Sequence, residues 1–329
     1  MAPRGLLEVL WGLTLALGVA ALVAAVFDYS PIAWLTRDRL AVGGGILVCT
    51  AFTWALSFRT GGRPVVFGGL ALALGLAVVW TDLGWLRTGA SVMTVVISAV
   101  LAVMVTVPAV RFLDAAREVV IAMGISCIGA FAALGFAPVI SAERFRYATL
   151  GLALIIAFLL VYRLGAGLHG LGRRGLALVL VGSVVLAFSL AYAELLRRYG
   201  SPGAVESVYD AAHWVWRVAG ALPRPIIALL GVPALAWGAH MRARRRQGWW
   251  ITAFGVAATA TPGYLLVRHG VPLAELGLQV LYSLALGLII GFLVIRLDLW
   301  LSDTRGSGAR RSEEKTAIRP EPKRHHALS

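Results

Sequence analysis

The sequence predicts an all-α fold, a polytopic integral membrane bundle of about ten transmembrane helices with an amphipathic helix resting on its outer face. Three observations predict it. Of the 329 residues 59% are apolar and 14% charged, with a mean hydropathy of +0.83, whereas a soluble domain is about 45–50% apolar. The apolar residues gather in ten stretches, none of which carries Asp, Glu, Lys, Arg or His near its middle. The 11 tryptophans sit near the ends of those stretches, at the depth where indole rings prefer the headgroup layer.

Taken in order, the spans lie near 5–27, 40–57, 65–81, 88–110, 119–141, 147–162, 175–193, 225–241, 249–267 and 276–295. A hydrocarbon core takes about 20 residues of helix, so the shorter spans extend into their flanks. The sixth runs on past Arg163, whose stem can snorkel. The first has the basic start and small-residue end of a secretory signal (Arg4, then Val23-Ala24-Ala25), but its length and the Glu8 inside it favour a retained helix. Small residues recur every fourth position at Gly12, Ala16, Ala20 and Ala24, at Gly69, Ala73 and Ala77, and at Ser283, Gly287 and Gly291; this spacing lets membrane helices approach closely. Cys49 and Cys127 lie singly inside spans and read as small buried hydrophobes. The bundle comprises residues 1–301. Residues 302–329 are polar and basic, with little to bury, and are expected to form a disordered cytoplasmic tail.

The net charge of +14 does not indicate nucleic acid, because the arginines lie in short connections and in the tail. With the N-terminus in the cytoplasm, roughly twice as many basic residues fall inside as outside, among them Arg59, Arg63, the cluster Arg242 to Arg246 and the tail. That bias predicts a multi-pass protein with both termini cytoplasmic. Lysine occurs only at 315 and 323 while Ala, Gly and Val abound. The composition suits a GC-rich bacterium, hence a bacterial cytoplasmic membrane, with the lipid bilayer as first partner.

The longest connection, 195–224, carries the surface helix. Ser201 is an N-cap and Pro202 a first helical residue. Val205, Val208, Tyr209, Ala212, Trp216 and Ala219 then repeat at helical spacing, so a helix is expected over 202–219. Its opposite stripe, Glu206, Asp210, His213 and Arg217, reads first as a solvated face with internal ion pairs. Two carboxylates and an imidazole on one face also form the densest candidate for acid–base or metal chemistry, with Asp28 after the first span, Glu143, Glu194 or His269 as further members. No metal or other cofactor is expected from spacing alone.

Polar groups at depth are neutral, and Glu8 and His240 lie at span ends where they can snorkel or cap. A second candidate is a pair of helix breaks. Pro233 interrupts the eighth span, and Thr259-Ala260-Thr261-Pro262-Gly263 the ninth, where unwound backbone could meet a substrate. The motifs of metalloproteases, serine hydrolases, P-loop proteins and prenyltransferases do not occur. His213-Trp214-Val215-Trp216 is similar to the Trp-rich loops of haem-handling cytochrome c assembly proteins, without their fuller Trp/Asp motif. Asp28 resembles the acidic residue that follows the first span in polyprenyl-sugar-dependent glycosyltransferases, without their large extracytoplasmic domain. Neither resemblance covers the chain.

Three functions are expected, in this order: a non-catalytic scaffold docking a membrane or extracytoplasmic partner through 202–219; a carrier for a neutral or lipid-like molecule using Pro233, Thr259, Thr261 and Pro262; and an outer-face enzyme on a lipid-linked substrate using Asp28, Glu206, Asp210 and His213. A carrier requires a polar cavity between spans eight and nine. An enzyme requires Asp28 or Glu143 to meet Asp210 or His213. A scaffold requires an exposed apolar patch around Trp214 and Trp216.

Overall fold

The computed structural model describes residues 4–29, 34–244, 247–268, 270–303, 321–324 and 326–328. Among them the chain is helical throughout, without strands. Nine helical stretches are long and apolar enough to cross a membrane, and Ile226–Arg242 is a shorter tenth. The protein is therefore a multi-pass membrane helix bundle.

Helices α1 (Arg4–Val26) and α2 (Arg37–Arg59) form an antiparallel pair, pinned where Trp11 Nε1 donates to the Ala51 carbonyl at 2.9 Å. The buried face of α1 is Gly18, Leu22 and Ala25, with Gly18 against Leu47 and Val48. The expected stripe does not make this contact, since Ala16 and Ala20 face outward. Pro64 begins α3 (Pro64–Thr81) at its first turn, where a missing N–H costs nothing. Its contacts with α2 come from Gly68 and Gly75, and Gly69 and Ala73 are exposed. Then come α4 (Gly84–Met104), α5 (Phe112–Gly135) and α6 (Ala142–Val161). As expected, helix continues past Arg163, through a π-helical turn Tyr162–Ala166, into α7 (Gly167–Tyr199). The amphipathic α8 spans Pro202–Ala219, starting at the expected proline.

The eighth and ninth spans are broken, and they form the centre of the bundle. A π-helical turn Ile226–Gly231 leads into α9 (Val232–Arg242). Pro233 has no N–H for the carbonyl four residues earlier, and a π-bulge is one way a helix absorbs that. The ninth span is three pieces, α10 (Gly248–Ala253), α11 (Val256–Thr259) and α12 (Thr261–Val267, with Pro262 in its first turn). Such breaks survive in a membrane only when other groups take up the freed backbone. Here Ser126 on α5 donates to the Thr259 carbonyl, and Thr259 Oγ1 donates to Ala99 on α4 at 3.0 Å. Glycine permits the closeness of these spans: a Cβ at Gly231 would strike the Ala258 backbone, and one at Gly238 the Thr252 side chain. Helix α13 (Leu273–Asp303) closes the bundle. Its Ser283, Gly287 and Gly291 are buried, and Gly287 and Gly291 rest on Val232 and Ala236, so this expected stripe is an interface.

The tail differs from expectation at its end. Residues 304–320 lie outside the described residues, but 321–324 and 326–328 are held on the bundle. Leu328 N–H donates to the Arg59 carbonyl at 2.9 Å, and its side chain packs on the main core cluster. The segment is held by ionic and backbone bonds with Leu328 as an apolar anchor, which the polar composition of the tail does not register. Since α1 and α2 are antiparallel, this tail end of the bundle is also where α1 begins; α8 lies at the other end.

Candidate functional site

Asp28 follows α1 with φ 55° and is exposed, as are Glu206, Asp210, His213 and Arg217 on α8. Glu194 pairs with Arg197 at 2.6 Å. No hydrogen bond or ion pair among the described residues joins Asp28 or Glu143 to Asp210 or His213, or links Asp210, His213 and Arg217 to one another. No group of three His, Cys, Asp or Glu among the described residues is placed to hold a metal; His269 lies outside them. The structure thus does not gather the expected acid–base set. Trp214 and Trp216 are exposed on α8 together with Val208, Tyr209 and Val218.

The second set is buried and bonded. Pro233 packs against Gly291, Thr259 bonds to α4, and Thr261 Oγ1 donates to the Ala257 carbonyl at 2.7 Å. Spans eight and nine meet through glycines at Gly231 and Gly238.

A cavity lined in part by both spans opens at the α8 end. It has a volume of about 240 Å³ and lies between α6, α7, the start of the eighth span and the break before α12. Its polar lining is Arg146, Thr149, Ser189, Tyr192, Arg224, Thr261 and Tyr264; Leu150, Leu190, Ala193 and Ile226 form the apolar flank. Of the expected residues, only Thr261 lines it.

Each cation has a defined seat. Arg224 Nε donates to Gln279 Oε1 at 2.8 Å, Gln279 in turn donates to Glu275 at 3.0 Å, and Arg224 N–H donates to Ser283 Oγ at 2.6 Å. Tyr282 straps the same connection through the Ala219 carbonyl at 2.9 Å. The Arg146 guanidinium lies 5.4 Å from the Tyr147 ring and 5.7 Å from the Tyr264 ring, a cation–π seat that leaves its N–H fork open. Burial holds Arg224 below the ordinary guanidinium range; Tyr264 opposes that shift, and Arg268 and Arg146 add to it. No carboxylate lines the cavity. Ser189 is 4% exposed, and its hydroxyl has no hydrogen-bond partner. The site is a cationic, hydroxyl-lined head with an apolar flank, and its α7 wall is the least buried of the spans.

A second polar layer, at the tail end, has no counterpart in the sequence reading. Arg59 and Arg242, counted in the sequence among the cytoplasmic-side charges, are 1% and 0% exposed; Arg245 and Arg246 lie outside the described residues. Arg59 Nε donates to the Met104 carbonyl at 3.0 Å and its Nη1 to the carbonyls of Lys323 and His326. Arg242 donates to Thr106 O at 2.6 Å and Thr106 Oγ1 at 3.1 Å, and lies 3.9 Å from the Trp249 ring. Its Nε is 3.7 Å from Glu321. Arg324 Nη2 bonds both oxygens of Glu118, at 2.6 and 2.7 Å, and Val107 N–H donates to the same carboxylate at 3.0 Å. His240 is buried beside them rather than snorkelling. A single carboxylate or arginine at a span end signals nothing by itself, so only the tail's return identifies this layer.

Fold and site define a class: a multi-pass helical membrane protein with a cationic pocket at one end and a buried ionic layer at the other. No protein-family model, curated protein or solved structure matches the chain.

Proposed function

We propose that the protein binds a lipid-like molecule with an anionic head, taken from the leaflet at the α8 end, and works as its carrier in a bacterial cytoplasmic membrane with both termini cytoplasmic. The observation that carries this reading is the cavity's lining: two arginines, two tyrosines and an unpartnered buried serine without a carboxylate, continuous with Leu150, Leu190, Ala193 and Ile226. Guanidinium forks suit phosphate and carboxylate heads, and an apolar flank at the bundle's rim suits an acyl or prenyl chain. The expected neutral or lipid-like cargo is narrowed by this charge argument to a lipid-like one with an anionic head. Both broken spans line the pocket, at Pro225 and Ile226 and at Ala260, Thr261 and Tyr264.

Arg146 is the residue to change, since ring contacts alone seat it. In nanodiscs, Arg146→Gln weakens binding of short-chain phosphatidylglycerol about tenfold or more, the effect of losing one charge-assisted hydrogen bond, and leaves thermal stability unchanged. Equal binding by wild type and variant would remove the pocket from the account.

One observation favours the scaffold reading as well. Helix α8 presents Trp214, Trp216 and Val218 at 60%, 48% and 70% exposure, and exposed apolar side chains on an amphipathic helix suit docking of a protein or seating in the headgroup layer. The enzyme reading draws no support from the separated Asp28, Glu206, Asp210 and His213.

A further inference from the structure

The tail-end layer is built around two arginines whose seats do not depend on the tail. Arg59 is fixed by Met104 and Arg242 by Thr106 and Trp249, all within the bundle. What they present beyond those seats is only partly used. Arg59 Nη2 and Arg242 Nε are buried and have no hydrogen-bond partner. Facing them are residues 321–324 and 326–328, which present carbonyl oxygens to Arg59 and a Glu321 carboxylate that stops 3.7 Å short of Arg242. Glu321 Oε2 is itself unpartnered.

We propose that Arg59 and Arg242 form an anion site for a phosphate-type group and that Glu321 is its built-in occupant, displaced when that group binds. The site is separate from the pocket at the α8 end and does not rest on it. Charge argues for phosphate. In the described layer three guanidiniums (Arg59, Arg242, Arg324) face two carboxylates (Glu118, Glu321). One positive charge is left over with Glu321 in place, and two with Glu321 displaced and Arg324 kept on Glu118. A phosphate monoester carries about −1.5 to −2 at pH 7, close to that surplus, whereas a carboxylate would only repeat Glu321. The donors left over suit it as well, since Arg59 Nη2 and Arg242 Nε each lack a partner and a phosphate offers several oxygens for charge-assisted bonds. The Trp249 ring against Arg242 and the tail over Arg59 keep the layer dry, which strengthens such bonds.

The proposal makes the tail a competitor. Calorimetric titration of the full chain in detergent with inorganic phosphate therefore shows weak, saturable binding. Glu321→Gln, which removes the competing charge from a peripheral segment, tightens it about tenfold. Arg59→Gln, checked for its helical melt, weakens it by about as much or more. A second arm uses nanodiscs with and without phosphatidic acid. If the lipid abolishes phosphate binding, the natural group is a lipid headgroup; if phosphate binds equally in both, it is a free phosphate compound. Glu321→Gln binding phosphate no better than wild type, or chloride displacing phosphate at equal concentration, overturns the site. Should Arg59→Gln fail to fold, Glu321→Gln decides alone.

Discussion

At the scale of single residues, Glu118 is a buried carboxylate with three hydrogen bonds. It accepts both contacts from Arg324 and the Val107 N–H while almost fully buried. Glu118→Gln keeps the shape but strands the Arg324 charge. Removing one partner of a buried pair costs about 3–5 kcal/mol, and the lower part of that range is expected here because the Arg324 side chain is 23% exposed. A fall in the unfolding midpoint in micelles measures it, and an unchanged midpoint would mean that the tail contact contributes nothing to stability. None of this was legible beforehand. Glu118 stands one residue outside the expected fifth span, and its partner is 206 positions away. Arg59 and Arg242 stand at span ends, and in sequence that position looks the same whether an arginine snorkels outward or turns in to a carbonyl.

At the scale of elements, legibility followed the local chemistry. Pro202 marks the start of α8 and Pro262 the break before α12, because a missing N–H and a fixed φ act within one turn. The break at Phe254-Gly255 has no proline; there a Cβ on Gly255 would strike Leu235 of α9, so its cause is tertiary. The small-residue stripes show the same limit. In α13 the stripe faces its neighbour, but in α1 and α3 the contacting residues, Gly18, Gly68 and Gly75, are out of phase with the expected repeat. An Ala/Gly-rich helix offers several such stripes, and packing selects one. Gly231→Val tests the packing of the broken spans. It forces atoms into the Ala258 backbone, overpacking that costs about 1–3 kcal/mol or more, seen as a lowered midpoint; the same change at Gly12, which has open space around it, leaves the midpoint in place.

At the scale of the whole molecule, the helical membrane class was readable from composition and hydropathy, since the bilayer imposes one requirement on every span. The two charged ends were not, since each is assembled from residues of five or more elements. The central claim is that the pocket at the α8 end holds an anionic amphiphile. It is tested most directly by capturing the occupant in the bilayer. A photoreactive residue replaces Leu190, in the pocket wall, and in a parallel protein Leu176, which is exposed on α7 away from the pocket; a third at Trp214 reports on α8. In membranes of mixed zwitterionic and anionic lipid, the account predicts adducts enriched in anionic lipid at Leu190 over Leu176, with the enrichment lost on Arg146→Gln. A protein adduct at Trp214 would favour the scaffold reading. The same lipid profile at Leu190 and Leu176 would contradict the account.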